Sequence, residues 1–223
     1  MKRGFFITGT DTGVGKTLIA TALMQRYAES GHKVVGMKPV AAGAELCDGR
    51  LLNEDVAQML KAANVEAPLA LLNPYVFEQP VAPHIAASQA GVVISIDKIK
   101  AAFADLGELA DVVVVEGAGG FLVPLNDRED MADLTAALGL PVIMVVGMRL
   151  GCLNHALLTA AAIQARGLQL AGWVANCLDS RMANLDENLL SLELRLQVPC
   201  LGVVPSLDGK DYGRVAEFLK LPG

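Results

Sequence analysis

Cysteine, histidine, aromatic side chains and positive charge are all in short supply in this chain, and each shortage narrows what it can be. The 4 cysteines (Cys47, Cys152, Cys177 and Cys200) are widely spaced and form no C-x-x-C pair. That argues against a zinc site or a disulfide framework and for reduced thiols in a cytoplasmic protein. The 3 histidines are also scattered and add nothing to a metal case. Lys and Arg number 18 against 24 Asp and Glu, a net charge of −6. This balance argues against broad binding to nucleic acid or to an anionic membrane, though not against a local phosphate site. Apolar runs such as 112–115 and 142–146 are the length of a strand, too short to span a bilayer. Met1-Lys2-Arg3 leads straight into a strand pattern, without the build of a secretory signal. Linkers, low-complexity stretches and internal repeats are missing too. The expectation is one domain over residues 1–223, large enough to need no staples.

What the chain does hold is aliphatic. Hydrophobic residues make up 53% of it and aromatic ones only 4%, which suits a buried parallel sheet covered by helices. Strand patterns fall at 3–8, 33–39, 112–116, 142–147, 170–176 and 200–204. Helical patterns fall at 16–30, 54–63, 96–106, 130–138, 153–165, 184–194 and 212–219. Gly31, Gly139 and Gly167 stand just past three of these helices, where a left-handed cap is wanted. The alternation predicts an α/β fold: a doubly wound, mainly parallel sheet with helices on both faces. Only 72–89, punctuated by Pro74, Pro80 and Pro83, reads as a long irregular loop, of the kind that is functional or mobile in a compact domain.

The strongest chemical signal is Gly9-Thr10-Asp11-Thr12-Gly13-Val14-Gly15-Lys16-Thr17, directly after the apolar run Phe5-Phe6-Ile7. A strand, a glycine-bearing loop and a helix opening on Lys-Thr together cradle nucleotide phosphates. Loop amides converge on the anion, the Lys16 ammonium reaches the β and γ oxygens, and the Thr17 hydroxyl can ligate Mg²⁺. The strict pattern puts glycine at position 10, where this chain has threonine. In such sheets ligands bind beyond the carboxyl ends of the strands, which selects further candidates. Glu116, after four valines, is a carboxylate at the mouth of the site and suits Mg²⁺. Lys38 ends the second strand and can neutralise charge near a γ-phosphate. Asp55 opens a helix, as a metal ligand or only as a partner of the helix dipole.

Taken together, these segments resemble the dethiobiotin synthetases. The resemblance is carried by the phosphate loop, Lys38-Pro39-Val40, Asn53-Glu54-Asp55, Asn73-Pro74-Tyr75 and Pro83-His84. Val115 to Gly120, Leu150 to His155 and Gly172 to Asn176 continue it in the family's order over most of the chain. It implies a P-loop NTPase fold, a cytoplasmic homodimer, and an ATP- and Mg²⁺-dependent ligase joining 7,8-diaminononanoate and CO2. It places Gly13, Val14, Gly15, Lys16 and Thr17 on the phosphates, and Thr17, Asp55 and Glu116 around Mg²⁺. Lys38 and Lys16 carry the catalysis. Asp55, Glu116, Gly117, Ala118 and Gly119 touch the nucleotide, while Asn176, Cys177, Pro205, Ser206 and Leu207 hold its base. Thr12, Lys38 and Ala42 would face the substrate, with Gly151, Cys152, Leu153 and Asn154 gripping its carboxylate from the partner subunit. Two positions depart from the pattern: Gly13 stands where many members carry glutamate, and Ala42 where many carry serine. The tail after Asp208 matches little.

Rival readings share the phosphate loop. A nucleotide-switch ATPase acting on a protein partner often carries a lysine early in that loop, where this chain has Asp11. An amidoligase of the same superfamily needs an ammonia source for which the chain has no room. A small-molecule kinase would release phosphorylated substrate rather than free phosphate.

Overall fold

Four consecutive valines at 112–115 are stable only in a strand covered on both faces, and all four are buried. In this computed structural model, residues 3–178, 182–207 and 212–222 are described. Met1 and Lys2, where the leader reading begins, and residues 208–211, where the tail reading begins, lie outside them. The chain begins with β1 (Arg3–Gly9), α1 (Lys16–Glu29) and β2 (Val34–Met37), then eight elements before the next strand of the main sheet. The first four are β3 (Val40–Ala42), β4 (Glu45–Cys47), β5 (Arg50–Leu52) and the longer helix α2 (Glu54–Ala62). The chain continues through α3 (Leu69–Leu72), β6 (Tyr75–Phe77), α4 (Pro83–Gln89), α5 (Ile96–Leu109) and β7 (Val112–Glu116). It then alternates: α6 (Met131–Leu138), β8 (Val142–Met148), α7 (Cys152–Ala165), β9 (Leu170–Cys177), α8 (Leu185–Leu196), β10 (Cys200–Val204) and α9 (Tyr212–Ala216).

Six strands form one parallel sheet in the order β10-β9-β8-β1-β7-β2. Side chains alternate between its faces as the pleat requires. Val112 and Val114 join Phe5, Ile7 and Ile143 under α1, α2 and α9. Val113 and Val115 join Phe6 under α5 and α6, while Val142, Met144 and Trp173 pack beneath α7 and α8. Each fully buried valine contributes roughly 1.5–3 kcal/mol relative to exposure. The chain leaves β1 toward one edge and later returns to the other side of β1, so the strand order reverses there. A crevice opens at such a reversal, beyond the carboxyl ends of the strands.

The α/β fold expected from the alternation is therefore the fold observed, with strand ends within a residue or two of those expected. The expected irregular loop at 72–89 is a correction: it contains β6 and α4. Pro83 occupies the first turn of α4, where its missing N–H has no partner to lose. The sequence reading also passed over β3, β4, β5 and α3, each only three or four residues long and too short to show a period.

Candidate functional site

β1 ends at Gly9, and the loop that follows delivers the chain to α1 through Gly15, whose φ of 89° is left-handed. No side chain caps α1, so the N–H groups of its first turn are not spent on a side-chain cap and suit an anion. Glycine is required at position 15 for two reasons. The φ is strained for any other residue, and a Cβ there would lie 2.2 Å from the Asn176 Nδ2. That amide nitrogen donates to the Val14 carbonyl at 2.8 Å, so the end of β9 braces the loop. Lys16 is buried and its Nζ donates to the Asp11 carbonyl at 3.1 Å. Burial first, then the charge of Lys38, lowers its pKa to about 8.

A second group of side chains meets beside this loop. Glu116 is the last residue of β7, level with Ile7 of β1, and its side chain is 1% exposed. Lys38 follows β2 and is 5% exposed. Its Nζ donates to Glu116 Oε1 at 2.6 Å, to Asp55 Oδ2 at 2.9 Å and to the Gly117 carbonyl at 3.3 Å. Asp55 is set by the start of α2, where Asn53 caps the helix by accepting from the Asp55 N–H at 2.9 Å. Thr17 Oγ1 donates to Glu116 Oε1 at 3.0 Å.

Electrostatics sort these groups. Burial opposes the Lys38 ammonium, but the carboxylates of Glu116 and Asp55 outweigh it and hold its pKa above the usual lysine value. Asp55 is also penalised by burial, yet Lys38 beside it keeps its pKa below the usual carboxylate range. Burial dominates at Glu116 and leaves its pKa raised, against the pull of Lys38. Its second oxygen, Oε2, is buried without a hydrogen-bond partner, a costly state for a carboxylate oxygen. Thr17, Asp55 and Glu116 thus present hard oxygens at one point, which fits Mg²⁺. Among the described residues no three His, Cys, Asp or Glu side chains gather. An ion here would therefore complete its shell from Thr17, phosphate and water.

The other expected site residues lie at the carboxyl ends of several strands or in the segments that follow them. Thr12 and Gly13 are exposed at the loop tip, and Ala118 and Gly119 are half-buried after Glu116. Ala42 ends β3, where its carbonyl accepts from Asn53 Nδ2 at 3.0 Å. At the far side of the sheet Cys177 is buried, while Pro205 and Ser206 are exposed beyond β10 and Leu207 is half-buried. After β8, Gly151 (φ 95°) starts α7 without a side-chain cap, as Gly15 starts α1. Cys152 packs into the core and its N–H donates to the Arg149 carbonyl at 3.0 Å. That leaves Leu153 and Asn154, half-buried and exposed, as the reachable part of this turn.

Comparison with known proteins gives the family. A family profile described as "AAA domain" matches residues 3–211. The chain is 56% identical over 221 residues to the ATP-dependent dethiobiotin synthetase BioD of Aromatoleum aromaticum, covering 99% of this chain and 98% of that one. It is 50% identical to the enzyme of the same name from Nitrosospira multiformis, covering 99% and 97%. The chain belongs to the dethiobiotin synthetase family. Among solved structures, the MinD cell division protein of Aquifex aeolicus aligns with a TM-score of 0.57 at 14% identity, over 92% of this chain and 82% of that one. Chloroplast FtsY from Physcomitrella patens aligns at 0.55 and 20% identity, over 97% and 64%. These two share the fold, a P-loop NTPase sheet.

For a dethiobiotin synthetase, the departure at Gly13 has little steric meaning, because a Cβ there would meet nothing; its φ of 74° is the constraint. Three residues around the centre had no role in the sequence reading. Asn53 ties α2 to β3. Asn73 donates to the Lys38 carbonyl at 2.7 Å. Arg149 pairs with Asp11 of the phosphate loop at 2.5 Å. Only Asn53, a polar residue before a helical pattern, carried a readable signal.

Proposed function

We propose that this protein is an ATP-dependent ligase that closes the ureido ring of dethiobiotin from 7,8-diaminononanoate and CO2, in biotin biosynthesis. The observation that carries the reading is the meeting of buried Lys38 and Glu116 with Asp55 and Thr17 beside a phosphate loop, in a chain that matches dethiobiotin synthetases nearly end to end. One amine captures CO2 as a carbamate, and a carbamate oxygen attacks the γ-phosphorus of ATP, expelling ADP. The second amine attacks the carbonyl of the resulting mixed anhydride, phosphate leaves, and the cyclic urea closes.

The chain's part is placement and charge stabilisation. Loop amides from Gly13 to Thr17 hold the phosphates. Lys16, now turned onto the Asp11 carbonyl, is near enough to exchange that oxygen for phosphate oxygens. Lys38 stands where negative charge grows on the transferring group. Thr17, Asp55 and Glu116 would hold a magnesium ion, which supplies further neutralisation of phosphoryl charge when bound. Gly117, Ala118 and Gly119 border the nucleotide; Asn176, Cys177, Pro205, Ser206 and Leu207 form the base side. Thr12, Lys38 and Ala42 line the substrate side. We read the wholly exposed Leu150, beside the uncapped start of α7, as part of a homodimer contact. It would let Gly151, Leu153 and Asn154 grip the carboxylate bound to the partner subunit, with Cys152 fixing the turn from the core. We take residues 1–223 as one domain working in the cytoplasm; no described helix is long and apolar enough to cross a membrane, and all four cysteines are free thiols.

The test is phosphate release from MgATP and bicarbonate, with and without the diamine, with the organic product weighed by mass spectrometry. Diamine-dependent release together with the cyclic urea is expected. Hydrolysis indifferent to the diamine would overturn the ligase and favour a nucleotide-switch ATPase.

A further inference from the structure

We propose that Asn73 is a positioning residue for Lys38: its side-chain amide supplies a ladder hydrogen bond that Pro74 cannot, and so sets where the Lys38 ammonium stands. The proposal rests on the reading that Lys38 works at the reacting centre.

β2 is the edge strand of the main sheet, and its ladder with β7 ends at the pair Met37–Val115. Lys38 is the next residue and stands past that ladder. Its N–H donates instead to the Leu72 carbonyl at 2.8 Å. In a parallel ladder this bond makes residue 73 the partner of Lys38. The companion bond would then run from the N–H of residue 74 to the Lys38 carbonyl. Residue 74 is proline and has no N–H. Asn73 Nδ2 takes that bond, donating to the Lys38 carbonyl at 2.7 Å. Its other hydrogen goes to the Tyr75 carbonyl at 2.9 Å, so both donors of the amide are used. Ordinary backbone pairing resumes one step later, from the Tyr75 N–H to the Pro39 carbonyl at 3.1 Å, and continues between β3 and β6.

The side chain therefore sits at the point where the chain leaves one sheet and joins another, and the residue held at that point is Lys38. Asn73 is itself buried, and its own N–H is anchored on the Leu69 carbonyl at 2.8 Å. The support is rigid rather than a loose surface contact. At the far end of the lysine, three oxygens lie 2.6 to 3.3 Å from Nζ. A buried stem has little room to compensate if the backbone beneath it shifts, and a displacement of an ångström at a reacting group is worth on the order of 100-fold in rate.

The experiment is a double-mutant cycle in turnover. Asn73→Ala is expected to lower kcat on the order of ten-fold or more, while KM for ATP moves less than about three-fold. The double variant Lys38→Ala with Asn73→Ala should turn over within about two-fold of Lys38→Ala alone, because a positioning residue has nothing left to position. Asn73→Asp, which keeps the volume but replaces the donor by an oxygen facing two carbonyls, should show the same pattern. Thermal unfolding is followed for every variant. Intact kcat in Asn73→Ala, losses that multiply in the double variant, or losses that only track unfolding in both Asn73 variants would each overturn the proposal. If Lys38→Ala itself keeps near-native turnover, the role of Lys38 fails and this proposal fails with it. If Lys38→Ala is crippled while both Asn73 variants are not, the proposal alone fails.

Discussion

Two loops leave the same end of the same sheet and are built in opposite ways. After β7, Glu116 turns inward and meets Lys38, Asp55 and Thr17 in a network whose central pair, Lys38 and Glu116, is buried from solvent. After β8, Arg149 is half-exposed and reaches back to Asp11, Leu150 is 100% exposed, and α7 starts on an uncapped glycine. A place beyond a strand end makes a residue available to a ligand, but it does not decide what that residue does. The neighbours decide. β7 is flanked by β1 and β2, whose following segments bring a phosphate loop and a lysine onto its carboxylate. Among the described residues Leu150 of the β8 loop has no such cover, which is why we propose a second subunit over it.

The largest effect that can test this contrast lies on the buried side. Lys38→Ala should cost roughly 2–4 kcal/mol of transition-state stabilisation, about 30- to 900-fold in kcat, with little change in KM for ATP. Near-native turnover would remove the functional meaning of the network. Glu116→Gln is next: it keeps the shape but not the charge, and the Mg²⁺ concentration for half-maximal activity should rise by about 10- to 100-fold. An unchanged metal titration would sink the ligand role.

Gly15→Ala probes the brace between the loop and β9. A left-handed alanine costs on the order of 1–2 kcal/mol, and the added Cβ collides with Asn176 Nδ2. Thermal unfolding should fall by roughly 2–8 °C, with weakened ADP binding; a variant as stable as the parent would show that the brace does not matter. A smaller effect is set by pH. Lys16 in the free protein loses its proton as pH rises through about 8, whereas bound triphosphate favours the charged form. Affinity for ATP should be flat below pH 8 and fall above it, by up to about ten-fold per pH unit. Calorimetry at pH 8 in buffers of different ionisation enthalpy should show proton uptake on binding, and proton release would reverse the sign argued here.

The smallest intrinsic effect belongs to the open side. Leu150 is wholly exposed among the described residues, so Leu150→Ser should change folding stability of the isolated subunit by no more than about 0.5 kcal/mol. Sedimentation at falling protein concentration should nevertheless show the variant dissociating earlier than the parent. Identical association would detach Leu150 from any subunit contact.

Parts of this contrast were legible in the primary structure. Val112–Val115 followed by Glu116 announces a buried strand that releases a carboxylate, and Gly15-Lys16-Thr17 announces a helix start suited to phosphate. Asn53 before Glu54 and Asp55 reads as a helix cap. Other parts were not legible. The stretch at 72–89 looked irregular because three prolines hide a three-residue strand and a helix that begins on Pro83. Asn73 looked like an ordinary residue before proline, since its bond partner lies 35 positions away in the chain.

Residue chemistry and local period thus determined the alternation of strands and helices, the sheet's burial on both faces, the phosphate loop and the strand-end candidates. These follow from interactions within a few residues, such as backbone sterics, side-chain alternation and the glycines that permit left-handed turns. Tertiary structure alone decided that Lys38 meets Glu116 across 78 positions, that Asn176 braces Val14 across 162, and that Leu150 finds no cover among the described residues. Those depend on which strands become neighbours. Strand order is set by how all the apolar faces pack at once, and no single segment encodes it.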